Sequence, residues 1–219
     1  MPDEAVPPVG SIVASLDELA ELYRAPSRIA AVKKTSVLDD ASIGILERSP
    51  FVLIATEGAD RGLDVSPRGG PPGFVRILDD RHVAIPDLNG NNLIDSLRAV
   101  VATGRAGLLV IVPGKDETLR INGLAWVTTD SEVLEMWADE LRRPTTAVVV
   151  RSEEVFMHCA KAFRRGRVWD PASWDQLADA PDGLDVLNAQ GLVAANDAAT
   201  REYLEQGYAD DLAHDEPER

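Results

Sequence analysis

Three short segments of the chain combine polar side chains with glycine and proline in patterns that could bind a ligand. The first covers residues 64–73 and places Ser66 and Arg68 ahead of three glycines. A guanidinium can present paired donors to an anion, and glycine lets backbone N–H groups approach a ligand closely. The segment could therefore bind an anion at the end of a strand. Taken alone, it favours the alternative, a Gly/Pro-rich turn that carries an exposed arginine.

The second segment, residues 87–96, passes from a predicted strand into a predicted helix through Gly90, Asn91 and Asn92. The start of a helix offers unpaired N–H groups and the positive end of the helix dipole, and both favour a phosphate. This arrangement predicts a phosphate site. The alternative is that Asn91 or Asn92 only caps the helix backbone.

The third segment, residues 117–123, lies on a predicted strand, where alternation places Arg120 and Asn122 on one face. Both side chains could then reach the same ligand, or they could form a polar stripe that faces solvent. His158 and Lys161 follow the last predicted strand and could add a cation.

Other readable chemistries are excluded. The lone Cys159 rules out an intramolecular disulfide and a Cys-rich zinc site, and the three histidines lack the spacing of a metal motif, so no metal is expected. There is no GxxxxGK[ST] loop for nucleotide phosphates and no GxSxG motif for acyl transfer.

Charge and hydropathy limit the partners. The net charge of −15 argues against nucleic acid and against an anionic membrane surface, since both would repel the chain. No apolar run approaches the roughly 20 residues that cross a bilayer, and the first residues lack the features of a signal peptide. We therefore expect a cytoplasmic protein.

The elements that must position these segments are mostly strands. Apolar alternation and turn residues predict strands at 51–56, 63–66, 74–78, 82–85, 107–112, 118–128 and 147–156, with helices at 92–103 and 131–142. This pattern is mainly β with flanking helices, an α+β class. A closed or nearly closed antiparallel barrel would bury both edges of such a sheet.

Three regions follow from the pattern. Residues 1–40 form a helical extension with a helix that begins at Ser15, residues 41–174 form the barrel domain, and residues 175–219 form an acidic helical appendage. The appendage has helix candidates near 184–190 and 196–206, and residues 170–219, which include it, carry −11 of the net charge. We expect it to be solvated; the alternative is a specific acidic docking element.

Taken together, the ordered segments resemble the pyridoxamine 5′-phosphate oxidase-like, FMN-binding split-barrel superfamily, in its bacterial branch of uncertain substrate. The resemblance covers about residues 41–174. It rests on Asp64–Gly69, Pro72–Phe74, Ile85–Asp87, Gly90–Asn92, Asp95–Leu97, Pro113–Arg120, Asn122–Gly123 and His158–Lys161.

The resemblance implies a six-stranded antiparallel split β-barrel that forms a homodimer with FMN at the subunit interface. The residues it assigns to the cofactor are Ser66, Pro67, Arg68, Pro86, Asn91, Asn92 and Arg120, with Gly90 as a backbone contact. Asn122, His158 and Lys161 are a second tier of cofactor-binding residues, and no catalytic residue is assigned.

Two departures bear on the cofactor. Leu88 and Leu93 stand where relatives often have arginine, which predicts an FMN site that binds weakly. The alternative is that Leu93 belongs to the apolar face of the following helix with Leu97 and Val100. The Arg-x-His substrate grip of true pyridoxamine 5′-phosphate oxidases is also missing, because residues 165–169 match it only superficially. Pyridoxal phosphate synthesis is therefore not expected.

The resemblance leaves more than one function open. The first hypothesis is an FMN-dependent oxidoreductase that passes hydride through flavin N5 to or from a small molecule. The second is a flavin-binding protein without turnover, or a dimeric split barrel without cofactor. A deazaflavin-dependent reductase is a third hypothesis.

Overall fold

The computed structural model describes residues 10–59, 62–193 and 197–217. The chain divides into two compact units, Met1–Lys33 and Lys34–Arg219. Residues 1–9 of the predicted N-terminal extension lie outside the described residues. No helix in the described ranges is long and apolar enough to cross a bilayer.

The first unit contains two short helices, α1 (Leu16–Leu22) and α2 (Arg28–Val32). Helix α1 begins where the sequence predicts, because the hydroxyl of Ser15 accepts a hydrogen bond from the backbone N–H of Glu18. Ser27 caps α2 in the same way. None of the helical residues in this unit is buried.

The second unit is built on one antiparallel sheet of seven strands. The strands are β1 (Phe51–Gly58), β2 (Gly62–Gly69), β3 (Arg76–Ile77), β4 (His82–Pro86), β5 (Arg105–Ile111), β6 (Thr118–Thr128) and β7 (Ala147–His158). The helices are α3 (Asp40–Leu46), α4 (Asp95–Thr103), α5 (Ser131–Leu134), α6 (Lys161–Gly166), α7 (Gly183–Ala189) and α8 (Ala198–His214). Short 3-10 turns occupy Glu135–Trp137, Pro171–Ser173 and Asp175–Leu177.

The sheet order is β2-β1-β5-β6-β7-β4-β3. Its two edges, β2 and β3, are not hydrogen-bonded to each other, so the expected six-stranded, closed or nearly closed barrel is corrected to an open sheet of seven strands. The sheet stays open because of its two edge strands. Strand β3 has two residues and offers almost no ladder, and most of strand β2 is exposed.

One apolar cluster joins five of the strands. Side chains of β1, β4, β5, β6 and β7 pack together, and Leu97 and Val100 of α4 complete the cluster. Within β1 the buried positions alternate, at Val52, Ile54 and Thr56, as expected for a strand with one buried face. The open sheet therefore has a large core cluster on one side, with α4 packed against β1, β5 and β6, and a second, smaller cluster around Trp137 that includes Ala84 and Ala147.

The predicted helix at 131–142 is shorter than expected. Helix α5 ends at Leu134 and continues as a 3-10 turn, in which Trp137 is completely buried. The indole Nε1 of Trp137 donates to the carbonyl of Phe74 at 2.7 Å. We attribute the early end of the helix to this anchor, which fixes the segment against the loop that precedes β3.

The β6–β7 ladder has an irregular register at Gly123, where residue 153 is passed over between neighbouring pairs. A Cβ atom on Gly123 would overlap the carbonyl oxygen of Arg151 and press on the backbone of Glu153. Backbone cannot rotate away as a side chain could, so only glycine fits this bulge.

We expect Gly123→Ala to lower the free energy of unfolding by about 3 kcal/mol, the upper end for overpacking. The control is Gly44→Ala in α3, where the nearest atom is the flexible end of Arg48. This change should be neutral or gain up to about 1 kcal/mol, because alanine favours helix. Urea denaturation of both variants makes the comparison, and equal stability of the two would contradict the bulge argument.

Candidate functional site

The first predicted ligand segment lies in a strand, not in a turn. Ser66, Pro67 and Arg68 are residues of β2, which runs on to Gly69. The side chain of Arg68 is 24% exposed, and its Nη1 atom lies 3.3 Å from Oδ1 of Asp87. Arg68 is therefore not the freely exposed turn residue of the alternative interpretation.

The partner of Arg68 follows the last residue of β4, and four strands separate β2 from β4 in the sheet. A contact between such distant strands requires the open sheet to curl until its β2 edge meets the end of β4. Burial raises the pKa of the Asp87 carboxyl above its ordinary value, and the charge of Arg68 offsets this effect only in part.

The second predicted segment leads into α4 without a conventional cap. Asn91 accepts a hydrogen bond from the backbone N–H of Leu93 through Oδ1, at 3.1 Å. Asn92 and Ile94 both have a left-handed backbone, and Ile94 occupies the N-cap position with no side-chain cap. The asparagines therefore do not cap α4. The side chain at the N-cap position accepts no hydrogen bond from the backbone N–H groups of the first turn of α4.

The curl of the sheet brings the first two segments together around a cavity of about 230 Å³. Of the residues assigned to the cofactor, its lining contains Ser66, Pro67, Arg68, Gly90, Asn91 and Asn92. These residues come from β2 and from the β4–α4 loop, and Arg68 and Gly90 are more than twenty positions apart in the chain. Their convergence is a property of the tertiary structure.

A larger cavity of about 660 Å³ lies next to this one and shares Pro67, Arg68 and Leu88 with it. Pro86 lines the larger cavity, together with Gly69, Gly70 and Leu141. Its volume falls within the range of small-molecule sites, about 300–1,000 Å³. Both cavities are therefore parts of one candidate site, with Arg68 at their junction.

Acidic side chains surround the smaller cavity. Asp64, Asp87 and Asp95 line it, and Arg68 is the single basic side chain among its described lining residues. These carboxylates oppose an anionic ligand, so any phosphate would depend on neutral donors and on Arg68. The described part of the chain contains no group of three or more His, Cys, Asp or Glu residues that could hold a metal ion.

Leu88 and Leu93, which stand where relatives often have arginine, occupy different surroundings. Leu93 precedes α4, is 60% exposed and lines the smaller cavity. The alternative that placed it on the apolar face of the helix with Leu97 and Val100 is wrong. Leu88 lines both cavities and also packs against the buried cluster around Trp137.

The third predicted segment lies elsewhere on the chain. Asn122 donates to Oε2 of Glu154 at 3.1 Å, and Lys34 donates to Oε1 of the same carboxylate at 2.7 Å. These two hydrogen bonds lower the pKa of Glu154 below its ordinary value. Arg120 lies over the ring of Phe156, 5.1 Å from its centroid. Neither Arg120 nor Asn122 lines the two cavities.

His158 and Lys161 also lie away from the cavities. His158 ends β7, opposite Thr118 of β6, and Lys161 begins α6; both are exposed. A single chain therefore brings together seven of the assigned cofactor residues and leaves Arg120, Asn122, His158 and Lys161 outside.

Sequence reasoning missed two parts of the site. Asp87 lies in the second segment, but the sequence has no signal that pairs it with Arg68. The acidic C-terminal helix α8 also contributes, because Leu212, Asp215 and Glu216 line the larger cavity. Their acidic, weakly amphipathic sequence is typical of a solvated helix, so only the tertiary structure reveals this position.

A comparison with known protein families shows which family the chain belongs to. The model of the family described as pyridoxamine 5′-phosphate oxidase matches residues 38–159, more than half of the chain. The chain belongs to the pyridoxamine 5′-phosphate oxidase family. The match includes β1 to β7, both ligand segments and α4.

Solved structures that resemble this family member do so at low sequence identity. A candidate pyridoxamine 5′-phosphate oxidase of Lactobacillus delbrueckii is 22% identical, with a TM-score of 0.43, over 57% of this chain and 99% of that one. HupZ of Group A Streptococcus is 15% identical, with a TM-score of 0.44, over 52% and 88%. The FAD binding protein of Mycobacterium smegmatis is 14% identical, with a TM-score of 0.39, over 57% and 97%. None of the curated proteins matches the chain.

In this pyridoxamine 5′-phosphate oxidase family member, the exposure of Leu93 predicts that an arginine is tolerated there. We expect Leu93→Arg to change the free energy of unfolding by less than about 0.5 kcal/mol, as at most surface positions. The control is Leu97→Arg, because Leu97 is 9% exposed and belongs to the core cluster. That change should cost about 2–5 kcal/mol, through lost packing and a buried charge. Urea denaturation of the two variants without ligand is the measurement, and similar losses would contradict the exposed position of Leu93.

Proposed function

We propose that the chain is an FMN-dependent oxidoreductase that acts on a small molecule. The observation that carries the proposal is the convergence of β2 and the β4–α4 loop on two adjoining cavities with Arg68 at their junction. Membership of the pyridoxamine 5′-phosphate oxidase family supports the choice of a flavin. The substrate and the electron donor remain open in this proposal.

The donors around the cavities fit a flavin. The guanidinium of Arg68 and the amide groups of Asn91 and Asn92 can donate hydrogen bonds to polar ligand atoms, and so can the hydroxyl of Ser66. The uncapped first turn of α4 adds backbone N–H groups that favour a phosphate. Asp64 and Asp95 oppose this charge, so we expect a cofactor that is held weakly.

The larger cavity is suited to an apolar ring. Pro67, Pro86, Leu88 and Leu141 supply apolar walls that would exclude water from a bound flavin. A bound flavin supplies hydride transfer, and the protein supplies orientation and the polarity around the ring. In this proposal Arg68 orients the ligand, and Asp87 holds the guanidinium in position when no ligand is present.

Pyridoxal phosphate synthesis is not part of the proposal. In the segment that superficially matches the Arg-x-His grip, Arg167 is paired with Asp170, with Nη2 2.6 Å from Oδ2. Trp169 stacks on Phe163 with 5.6 Å between the ring centroids. These side chains are engaged with their own neighbourhood and line neither cavity.

A second candidate function is a protein of this fold that holds no phosphate-bearing cofactor. The three carboxylates of Asp64, Asp87 and Asp95 in the smaller cavity favour this candidate, since they repel a phosphate. The absorption spectrum of freshly purified protein separates the two candidates. Bands at the flavin maxima show a bound flavin and count against the second candidate.

Titration of the apoprotein with FMN tests the role of Arg68. We expect Arg68→Ala to weaken FMN binding by about 1.5–3 kcal/mol, the range for a hydrogen bond to a charged group. Leu93→Arg should tighten it, because the new cation lies on the wall of the smaller cavity. The control is Arg105→Ala, because Arg105 is an exposed strand arginine that pairs with Glu153. If Arg68→Ala binds FMN as well as the control, Arg68 has no role in cofactor binding.

We also propose that the active species is a homodimer with the cofactor site at its interface. Strand β2 is a sheet edge whose Leu63 and Val65 are 86% and 61% exposed. Val101 on the neighbouring α4 is 76% exposed. An edge strand with exposed apolar side chains is a favourable surface for pairing with a second chain. A second subunit could bring Arg120 and Asn122, which line neither cavity here, to the site.

Sedimentation equilibrium at micromolar concentration tests the dimer. We expect the wild type to have twice the monomer mass and the double variant Leu63→Asp with Val101→Asp to be a monomer, because two charges would be buried at the interface. The control is Leu177→Asp, at an apolar residue that is 64% exposed and belongs to the 3-10 turn Asp175–Leu177 instead of β2 or α4, and it should remain dimeric. A monomeric wild type would count against the proposal.

A further inference from the structure

The C-terminal end of the acidic helix α8 contacts the β4–α4 loop. The backbone N–H of Asn89 donates to Oδ1 of Asp215 at 3.0 Å, and the Nδ2 amide of Asn89 donates to Oδ1 of Asp211 at 2.7 Å. The backbone N–H of Arg142 donates to the carbonyl of Asp215 at 2.7 Å. Two carboxylates of the chain itself therefore occupy two donors of Asn89, in a loop that borders both cavities.

These contacts hold α8 mainly by polar interactions. None of its seventeen residues is buried, and its end is attached through Asn89, Arg142 and the pair formed by Arg142 and His214. A segment with few buried apolar contacts opens at low free energy. Docking of α8 is thus expected to be reversible.

The docked helix places negative charge beside the candidate site. Asp215 and Glu216 line the larger cavity, and the carbonyl end of a helix carries partial negative charge. Asn89 lines the same cavity, so the carboxylates that it binds lie at the cavity wall. An anionic ligand that reaches Asn89 would meet repulsion from α8 and would compete with it for the two donors of that residue.

We propose that α8 is an internal competitor for phosphate-bearing ligands at the β4–α4 loop. The docked helix occupies the two donors of Asn89 with Asp211 and Asp215, and its negative charge lowers the affinity of the adjoining site for a phosphate. A bound phosphate in turn favours release of the helix, because coupling between two binding events is reciprocal. This inference rests on the proposed flavin function and names a regulation of that same site.

The test compares FMN with riboflavin, which lacks the phosphate, on three full-length proteins. These are the wild type, the double variant Asp211→Ala with Asp215→Ala, and the control double variant Glu202→Ala with Glu205→Ala. The control removes the same charge from the same helix at positions for which the described residues show no contact with the loop. Circular dichroism verifies that all three proteins are folded, and flavin fluorescence gives the dissociation constants.

We expect the Asp211 and Asp215 variant to bind FMN at least tenfold more tightly than the wild type, with riboflavin affinity changed less than twofold. The control should bind both ligands within twofold of the wild type. In the wild type, FMN should accelerate hydrogen exchange of the α8 backbone, since released helix loses protection.

Several outcomes would overturn the inference. If the wild type and the Asp211 and Asp215 variant bind FMN equally well, the flavin function stands but α8 does not compete with the ligand. An equal gain in affinity for FMN and for riboflavin would mean that α8 hinders both ligands sterically and does not compete with the phosphate. Weaker FMN binding in the variant makes α8 part of the binding site. Absence of binding of both ligands to every variant overturns both the competitor and the flavin function.

Discussion

The ion pair between Arg68 and Asp87 is the contact on which the candidate site depends. The open sheet has no ladder between its edges, so its hydrogen bonds do not hold β2 near the end of β4. The curl of the sheet brings the β2 segment against the β4–α4 loop, and the ion pair joins the two segments across that gap. Its burial carries a desolvation cost, seen in the raised pKa of Asp87, so its contribution is to geometry more than to stability.

Hydrogen-bond donors and acidic side chains lie together around the cavities next to this ion pair. Arg68, the asparagine amides and the uncapped start of α4 favour an anion, whereas Asp64 and Asp95 disfavour it. The acidic end of α8 adds carboxylates to the neighbouring wall. Ligand affinity at this site is therefore a balance between donors and carboxylates. This balance explains why family membership alone does not establish a tightly bound cofactor.

Much of the fold could be predicted from local patterns. The alternation in β1 and β6, the polar breaks between strands and the cap at Ser15 each act within a few residues. The barrel expectation was wrong in closure and strand number, because pairing of the edges depends on the length of β3 and the exposure of β2. The helix expected at 131–142 ended early because Trp137 is anchored to a residue 63 positions away.

The sequence by itself determined the residue types of the site and the secondary structure that carries them, since propensity, alternation and capping act locally. Only the tertiary structure decided which of those residues meet. It joined Arg68 to Asp87, left Leu93 exposed before α4, placed Arg120 on Phe156 away from the cavities, and set α8 against Asn89. Such contacts depend on the curl of the sheet, which arises from packing among distant strands, and no local pattern encodes them.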